Sequence, residues 1–335
     1  KRTVLEMGLR RAQDTQGFSP TRASFIGGID ATSNVEAGRY YNIPVAGTMA
    51  HCLIMREESE KEAFKNYMRS DPERASVLID TYDTIQGVKN AILASKETGI
   101  FLKSVRLDSG DLAYLSKKVR TLLDKEGFYD TKITASNDLD EYTIQSLILE
   151  QKAPIDIFGV GTMLATSYDQ AALGGVYKLK KTGDRDVIKV SELAIKTTIP
   201  GATDIIRLID ENNKYAGDII HQADKTFLNT DSLSETLQSI RLENEQVKTF
   251  LKGKKAYRPM IEVIKNGVVN QKEMNKPLTQ IKEYASSNLN RLDETHLRLK
   301  SPHTYVAGLE KQLFLTRKNL RDTALREARN ELQRS

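Results

Sequence analysis

Up to about residue 180, short apolar runs alternate with amphipathic stretches, the pattern of strand–helix units that close a parallel sheet. Candidate strands are Ala23–Ile26, Ile43–Gly47, Val77–Ile79, Ser104–Leu107, Lys132–Ala135 and Ile155–Val160. Between them lie helix candidates with one polar and one apolar face: Glu60–Ser70, Ile85–Thr98, Ala113–Glu126 and Asp140–Glu150. These make roughly six β/α repeats, enough for most of a barrel. Before them, Val4–Leu9 reads as an apolar, helix-like turn. From Gly175 the texture changes to β-branched runs broken by turns: Gly175–Lys181, Asp186–Val190, Ala194–Thr198, Thr203–Ile209 and Lys214–Ile220. Beyond Gly267 charged amphipathic helix returns, at Gln280–Ser286, Glu294–Leu299 and a long final segment from Tyr305 to about Arg334. The pattern predicts an α/β barrel over residues 1–178, a smaller β-rich domain over 179–265 and a C-terminal helical segment over 266–335 that packs on the body.

The composition fits this picture and removes other classes. The chain has 335 residues with 39% hydrophobic and no low-complexity block, so a packed core is expected. No apolar run approaches the eighteen or so residues of a membrane span, and Lys1 to Gln13 lack the apolar centre of a signal peptide. Cys52 is the single cysteine, which excludes an internal disulfide and points to a reducing, cytoplasmic setting. A net charge of +5 is too diffuse for a nucleic-acid footprint but suits phosphorylated substrates.

Candidate chemistry gathers where predicted strands end. Ile43–Gly47 leads to Thr48 and His51; Val77–Ile79 to Asp80-Thr81-Tyr82-Asp83; Ser104–Leu107 to Asp108-Ser109-Gly110-Asp111; Lys132–Ala135 to Ser136-Asn137-Asp138; Ile155–Val160 to Gly161-Thr162. The C-terminal ends of barrel strands converge over one mouth, where active sites are built. Any one of these stretches alone is a weak signal, since it can be an ordinary capped turn; five in register are hard to get by chance. Gly159-Val160-Gly161-Thr162 before a helical stretch offers backbone N–H groups and a hydroxyl, the recipe for a phosphate cradle. Asp80, Asp108, Asp111 and Asp138 repel one another unless magnesium, ribose hydroxyls or the guanidinium groups of Arg10 and Arg106 compensate them. A sugar phosphate with magnesium answers that need. His51 is the sole histidine on a predicted rim; His221, His296 and His303 have no companion carboxylates at useful spacing. As a catalytic thiol, Cys52 lacks any base partner other than His51.

Together MGLRRAQ (Met7–Gln13), GGIDATSN (Gly27–Asn34), VAGTMAH (Val45–His51), DTYDT (Asp80–Thr84), VRLDSGDL (Val105–Leu112), ASNDLDE (Ala135–Glu141), FGVGT (Phe158–Thr162) and LGGVYKL (Leu173–Leu179) resemble nicotinate phosphoribosyltransferase, in the family's order. The resemblance implies an irregular β/α barrel of the type II phosphoribosyltransferase kind with a smaller β-rich domain, assembled as a homodimer. The implied reaction joins nicotinate to phosphoribosyl pyrophosphate, giving nicotinate mononucleotide and pyrophosphate with ATP hydrolysis, in NAD salvage.

Position by position, the resemblance makes His51 the histidine that ATP phosphorylates. It sets Thr48 and Arg106 against nicotinate, and Thr162 with Gly159 and Gly161 against the ribose 5-phosphate. Arg10 would face the phosphates, and Asp80, Asp108 and Asp138 the ribose hydroxyls and magnesium, with Asp80 and Asp108 as the metal-facing pair and Asn137 among the substrate-binding residues. Two departures stand out: the family's sizeable region before MGLRRAQ does not precede it here, which reads as a fragment or truncation, and Cys52 replaces the family's common Ser. The rival readings are a nicotinamide or quinolinate enzyme, a truncated chain that turns nothing over, and an aldolase-type barrel. Arg106 with His51 favours nicotinate, and no Lys other than Lys103, which precedes its strand, stands near the rim for a Schiff base.

Overall fold

A computed structural model describes residues 2–13 and 17–332, in two compact units: Lys1–Leu173 with Pro277–Ser286, and Gly174–Lys276 with Ser287–Ser335. The first unit runs β1 (Thr3–Glu6), α1 (Phe18–Gly27), β2 (Ala31–Thr32), α2 (Val35–Tyr41), α3 (His51–Arg56), α4 (Glu60–Ser70), β3 (Ser76–Leu78), α5 (Thr84–Thr98), β4 (Ser104–Leu107), α6 (Leu112–Lys125), β5 (Lys132–Ala135), α7 (Glu141–Gln145), β6 (Ile157–Val160) and α8 (Thr162–Thr166). Its six strands form one parallel sheet in the order β2-β1-β6-β5-β4-β3, a curled half-barrel. Val77, Val105, Ile133 and Phe158 on neighbouring strands are fully buried, as a parallel sheet covered by helices requires.

Several sequence expectations hold to the residue here: α4, β4 and β5 have the predicted bounds. Others are overturned. Val4–Leu9 is not helical, since Thr3–Glu6 is the strand that pairs with both β2 and β6. Ala23–Ile26 lies inside helix α1, which buries a small face of Thr21, Ser24 and Phe25 instead of a broad apolar stripe. Ile43–Gly47 forms no strand and touches the sheet through a single bridge, Val45 to Thr32.

The acidic rim explains how strands turn into helices. Asp83, Asp111 and Asp140 are N-caps, accepting from the N–H groups of Gln86 (2.7 Å), Tyr114 (2.9 Å) and Thr143 (2.6 Å). Each such cap satisfies an otherwise orphaned helix donor and is worth about 0.5–2 kcal/mol. Asp111, grouped from the sequence with the site carboxylates, is therefore a helix cap. Close approach fixes another position: a Cβ on Gly87 of α5 would lie 2.0 Å from the Ile79 carbonyl oxygen, so only glycine lets the helix meet the end of β3.

Beyond Leu173 the chain runs β7 (Lys181–Thr182), β8 (Arg185–Asp186), β9 (Thr203–Ile209), β10 (Tyr215–Gln222), β11 (Leu237–Ile240), β12 (Val247–Phe250), β13 (Ala256–Tyr257), β14 (Ile264–Lys265), β15 (Val268–Val269), α9 (Gln271–Met274), α10 (Leu278–Leu289), β16 (Ala307–Glu310) and α11 (Lys311–Leu332). The part of α10 up to Ser286 counts with the first unit, where Lys282 donates to the Ile29 carbonyl at 2.5 Å and sits 4.2 Å from the Phe25 ring centre. The principal sheet of the second unit has the order β12-β11-β16-β10-β9-β13. Thr203–Ile209 is a strand as the pattern predicts. Gly175–Lys181 and Asp186–Val190 are mostly irregular, and Ala194–Lys196 is a short 3-10 turn, because these stretches bury little. The final segment is also corrected: Ala307–Glu310 is a strand between β10 and β11, and the helix starts only at Lys311. The predicted end near Arg334 lies outside the described residues.

Candidate functional site

Arg106 organises the rim. On β4 its side chain points opposite to the buried Val105 and Leu107, as strand alternation demands. Its Nε donates to Ser136 Oγ at 2.8 Å, Nη1 to Thr48 Oγ1 at 2.9 Å and Nη2 to Asp108 Oδ1 at 3.0 Å. A guanidinium has five N–H donors, so two remain to meet a ligand. Asp108 also accepts a short hydrogen bond from Ser136, and its other oxygen, Oδ2, lies 3.8 Å from His51 Nε2. His51 Nδ1 is 3.0 Å from Thr81 Oγ1, which fixes the ring and leaves Nε2 facing the Asp108 carboxylate. The histidine stands in the first turn of α3 with its side chain 41% exposed, although no strand precedes it.

Asp80 sits behind this cluster. Its Oδ2 accepts from the Asp108 N–H at 2.8 Å and from Ser109 Oγ at 2.7 Å, while its buried Oδ1 has no hydrogen-bond partner.

A cavity of about 150 Å³ opens beside Arg106 and Asp108 and brings Arg10, Arg11, Asn137, Asp138, Gly159, Gly161 and Thr162 together. Asn137 (φ 99°) and Asp138 (φ 42°) adopt positive φ, an uncommon backbone state for residues other than glycine. The β1 and β6 ends press together here: a Cβ on Gly8 would lie 2.4 Å from Ala165 Cβ, and one on Gly159 2.5 Å from Met7 Sδ. The helix after Gly161 is only five residues long, so the positive character of this corner rests on the exposed Arg10 and Arg11 more than on a helix dipole.

Thr48, Arg106, Asp80 and Asp108 thus form one hydrogen-bonded set with His51 3.8 Å from Asp108 beside it, and Arg10, Asn137, Asp138, Gly159, Gly161 and Thr162 line the adjoining cavity. Arg11, Ser136 and Thr81 were given no role from the sequence. Arg11 was legible in the double arginine of MGLRRAQ; Ser136 and Thr81 owe their roles to contacts with residues 30 positions away. Among the described residues no group of three or more His, Cys, Asp or Glu is arranged to hold a metal ion.

A curled parallel half-barrel with a separate antiparallel-rich sheet and a polar site at its strand ends is the architecture of type II phosphoribosyltransferases. Residues 3–227 match the nicotinate phosphoribosyltransferase (NAPRTase) family and residues 203–317 the nicotinate phosphoribosyltransferase C-terminal domain. The chain belongs to the nicotinate phosphoribosyltransferase family. It is 40% identical over 320 residues to the nicotinate phosphoribosyltransferase of Bacillus subtilis, covering 93% of this chain and 64% of the relative. The Dictyostelium discoideum enzyme of the same name is 33% identical over 378 residues, covering 96% and 63%. The chain therefore spans just under two thirds of these relatives' lengths. The crystal structure of human nicotinic acid phosphoribosyltransferase shares the fold, with a TM-score of 0.76 at 24% identity over 96% of this chain and 71% of that one.

Proposed function

We propose that the protein transfers the phosphoribosyl group of phosphoribosyl pyrophosphate to nicotinate, releasing pyrophosphate and forming nicotinate mononucleotide for NAD salvage. The observation that carries this reading is Arg106, held on three sides by Ser136, Thr48 and Asp108 with two donors remaining beside a cavity that also holds Arg10 and Arg11. A planar fork of that kind suits a carboxylate, and nicotinamide has none. In the reaction the bond from ribose C1 to pyrophosphate oxygen breaks, its electron pair leaves with pyrophosphate, and the nicotinate ring nitrogen forms the new bond to C1. Proton transfer contributes little to such a step; positioning and charge compensation carry it. Arg10, Arg11 and Thr162 would hold the phosphates, and Asn137 and Asp138 the ribose.

Magnesium fits the same rim. Asp80 Oδ1 is a buried carboxylate oxygen without a donor, and magnesium is commonly held by one or two carboxylates together with substrate phosphates. Asp80 and Asp108 would hold it, and bound there it would offset the charge gathering on the leaving pyrophosphate. ATP as a co-substrate that phosphorylates His51 is part of this reading, supported by a partly exposed imidazole that Thr81 anchors beside Asp108. A homodimer in the cytoplasm completes it; no helix among the described residues is long and apolar enough to cross a membrane.

The test is to incubate the full-length protein with labelled nicotinate, phosphoribosyl pyrophosphate, magnesium and ATP. Labelled nicotinate mononucleotide is the expected product. Turnover of nicotinamide at equal or greater rate, or no nucleotide from either base, would overturn the reading.

A further inference from the structure

Glu6 closes β1 and is 1% exposed, yet no step of the reaction calls on it. Its two carboxylate oxygens divide the work. Oε2 accepts from Thr32 Oγ1 of β2 at 2.6 Å and from Thr21 Oγ1 of α1 at 3.0 Å, and the Thr32 hydroxyl itself accepts from the Asn34 N–H at 3.0 Å. Oε1 accepts a short hydrogen bond from the N–H of Gly8, two residues on. The Glu6 carbonyl accepts from the Ser33 N–H at 2.8 Å. A buried carboxylate is costly unless its lone pairs are satisfied, and here every one of these donors to the side chain is neutral. Such a group is retained for what it holds in place.

What it holds is the turn that carries the two arginines. The Gly8 contact bends the chain straight after β1, and the 3-10 turn Leu9–Arg11 follows, closed by Arg11 N–H to Gly8 carbonyl at 2.8 Å. The bend has no slack: a Cβ on Gly8 would lie 2.7 Å from the Gly161 carbonyl oxygen as well as against Ala165. Arg10 and Arg11 then project, exposed, into the cavity shared with Gly161 and Thr162. A flexible surface turn would have to order its backbone on meeting an anion, and a turn fixed in advance lowers that cost.

We infer that Glu6 is a positioning residue that presents Arg10 and Arg11 to the pyrophosphate portion of the substrate, an inference that rests on the function proposed above. The chemistry also says which substitution should rescue. In Glu6→Gln the amide oxygen can stay on the Gly8 N–H, and the NH2 group can turn toward the threonine hydroxyls, which can accept. Glu6→Leu offers neither.

The full-length protein, Glu6→Leu and Glu6→Gln are compared in calorimetric binding of inorganic pyrophosphate and in steady-state kinetics. Glu6→Leu should weaken pyrophosphate and raise KM for phosphoribosyl pyrophosphate by about tenfold, with KM for nicotinate within about twofold, the size of one charge-assisted contact. Glu6→Gln should recover both to within about threefold of the parent. Should Glu6→Leu not fold, Thr21→Val/Thr32→Val loosens the same carboxylate from its other oxygen and should shift pyrophosphate affinity in the same direction. Unchanged pyrophosphate affinity in a folded variant, or an equal rise in KM for both substrates, would overturn the inference while leaving the function intact. A parent protein that neither binds pyrophosphate nor forms nucleotide would instead remove the function, and this inference with it.

Discussion

Arg106–Asp108 in the first unit and Arg207–Asp218 in the second are arginine–aspartate pairs of similar length, built for opposite ends. In the first unit Arg106 meets Asp108 at 3.0 Å through one Nη, spends its other contacts on two hydroxyls, and faces a cavity. In the second, Arg207 grips Asp218 with both arms, Nε to Oδ1 at 2.9 Å and Nη2 to Oδ2 at 2.8 Å. Tyr305 adds a hydroxyl to the same carboxylate at 3.0 Å. Tyr215 lies between two guanidiniums, with Arg207 at 4.7 Å and Arg291 at 4.5 Å from its ring centre. The hydrogen bonds to Asp218 hold the Arg207 guanidinium far above its ordinary pKa. The second pair ties β9 to β10 and is closed in by Tyr215 and Tyr305; the first is left open on a cavity. Exposure does not separate them, at 18% and 29% against 24% and 14%; the cavity that Arg106 and Asp108 border does.

The largest effect should come from breaking the pair that opens on the cavity. Arg106→Ala in the full-length protein should lower kcat/KM for nicotinate by roughly 2–5 kcal/mol, or thirty- to several-thousand-fold, when a desolvated carboxylate loses its bidentate partner. Binding of phosphoribosyl pyrophosphate should fall much less. Kinetics with each substrate varied in turn measure the split, and equal losses would move Arg106 to the phosphates.

Breaking the closed pair should appear in stability instead. Arg207→Ala leaves a half-buried Asp218 without its cation and should cost roughly 3 kcal/mol in urea unfolding. Replacing both partners, as Arg207→Met with Asp218→Leu, should cost less than the single change, because no charge is then stranded. A double variant worse than the single would mean that the pair, and not its orphaning, supplies the stability.

These two pairs also mark how far the sequence could be read. Ser104–Leu107 and Lys132–Ala135 were legible because a strand buried on both faces is a short apolar run with polar ends, and the Asp at each end advertised the rim. Why Asp83, Asp111 and Asp140 serve as caps while Asp80, Asp108 and Asp138 stand at the site was not legible, since both positions favour the same residue type. Helix α1 was misread as a strand because its buried side is made of Thr21, Ser24 and Phe25, too polar to show a 3.6-residue period. Ala307–Glu310 was missed for another reason: its partners on β10 and β11 lie more than 60 residues away, and four residues carry too little pattern to declare a strand between them.

Next in expected size comes a packing contact in the first unit. Gly87→Ala places a methyl group 2.0 Å from the Ile79 carbonyl oxygen, a backbone atom that cannot swing away. Overpacking of this kind costs about 1–3 kcal/mol, and it should be read in thermal or urea unfolding. Because Ile79 directly precedes Asp80, the substitution should also lower activity more than an equally destabilising change in the second unit would. Equal activity in both would show that the rim tolerates movement of β3.

The smallest effect separates the regions by pH. Tyr257 in the second unit donates to the Tyr215 hydroxyl at 3.2 Å, and its pKa is pushed from 10.0 up to about 12, first by burial and then by that hydrogen bond and the neighbouring phenol. Below pH 10 the phenol is protonated in both folded and unfolded chains and contributes no pH dependence. Between about pH 10 and 12 the unfolded chain releases the proton while the folded chain keeps it, so the folded state binds more protons and stability falls as pH rises. Tyr257→Phe removes that difference: it loses one hydrogen bond at neutral pH but should show a flatter decline above pH 10, by at most one proton in the slope. Urea unfolding from pH 8 to 11.5, set beside the ultraviolet titration of the phenols, measures both quantities. Parallel slopes for parent and variant would show that Tyr257 ionises as readily in the folded sheet as in the unfolded chain, leaving the arginine–tyrosine stack of the second unit as open to solvent as the rim of the first.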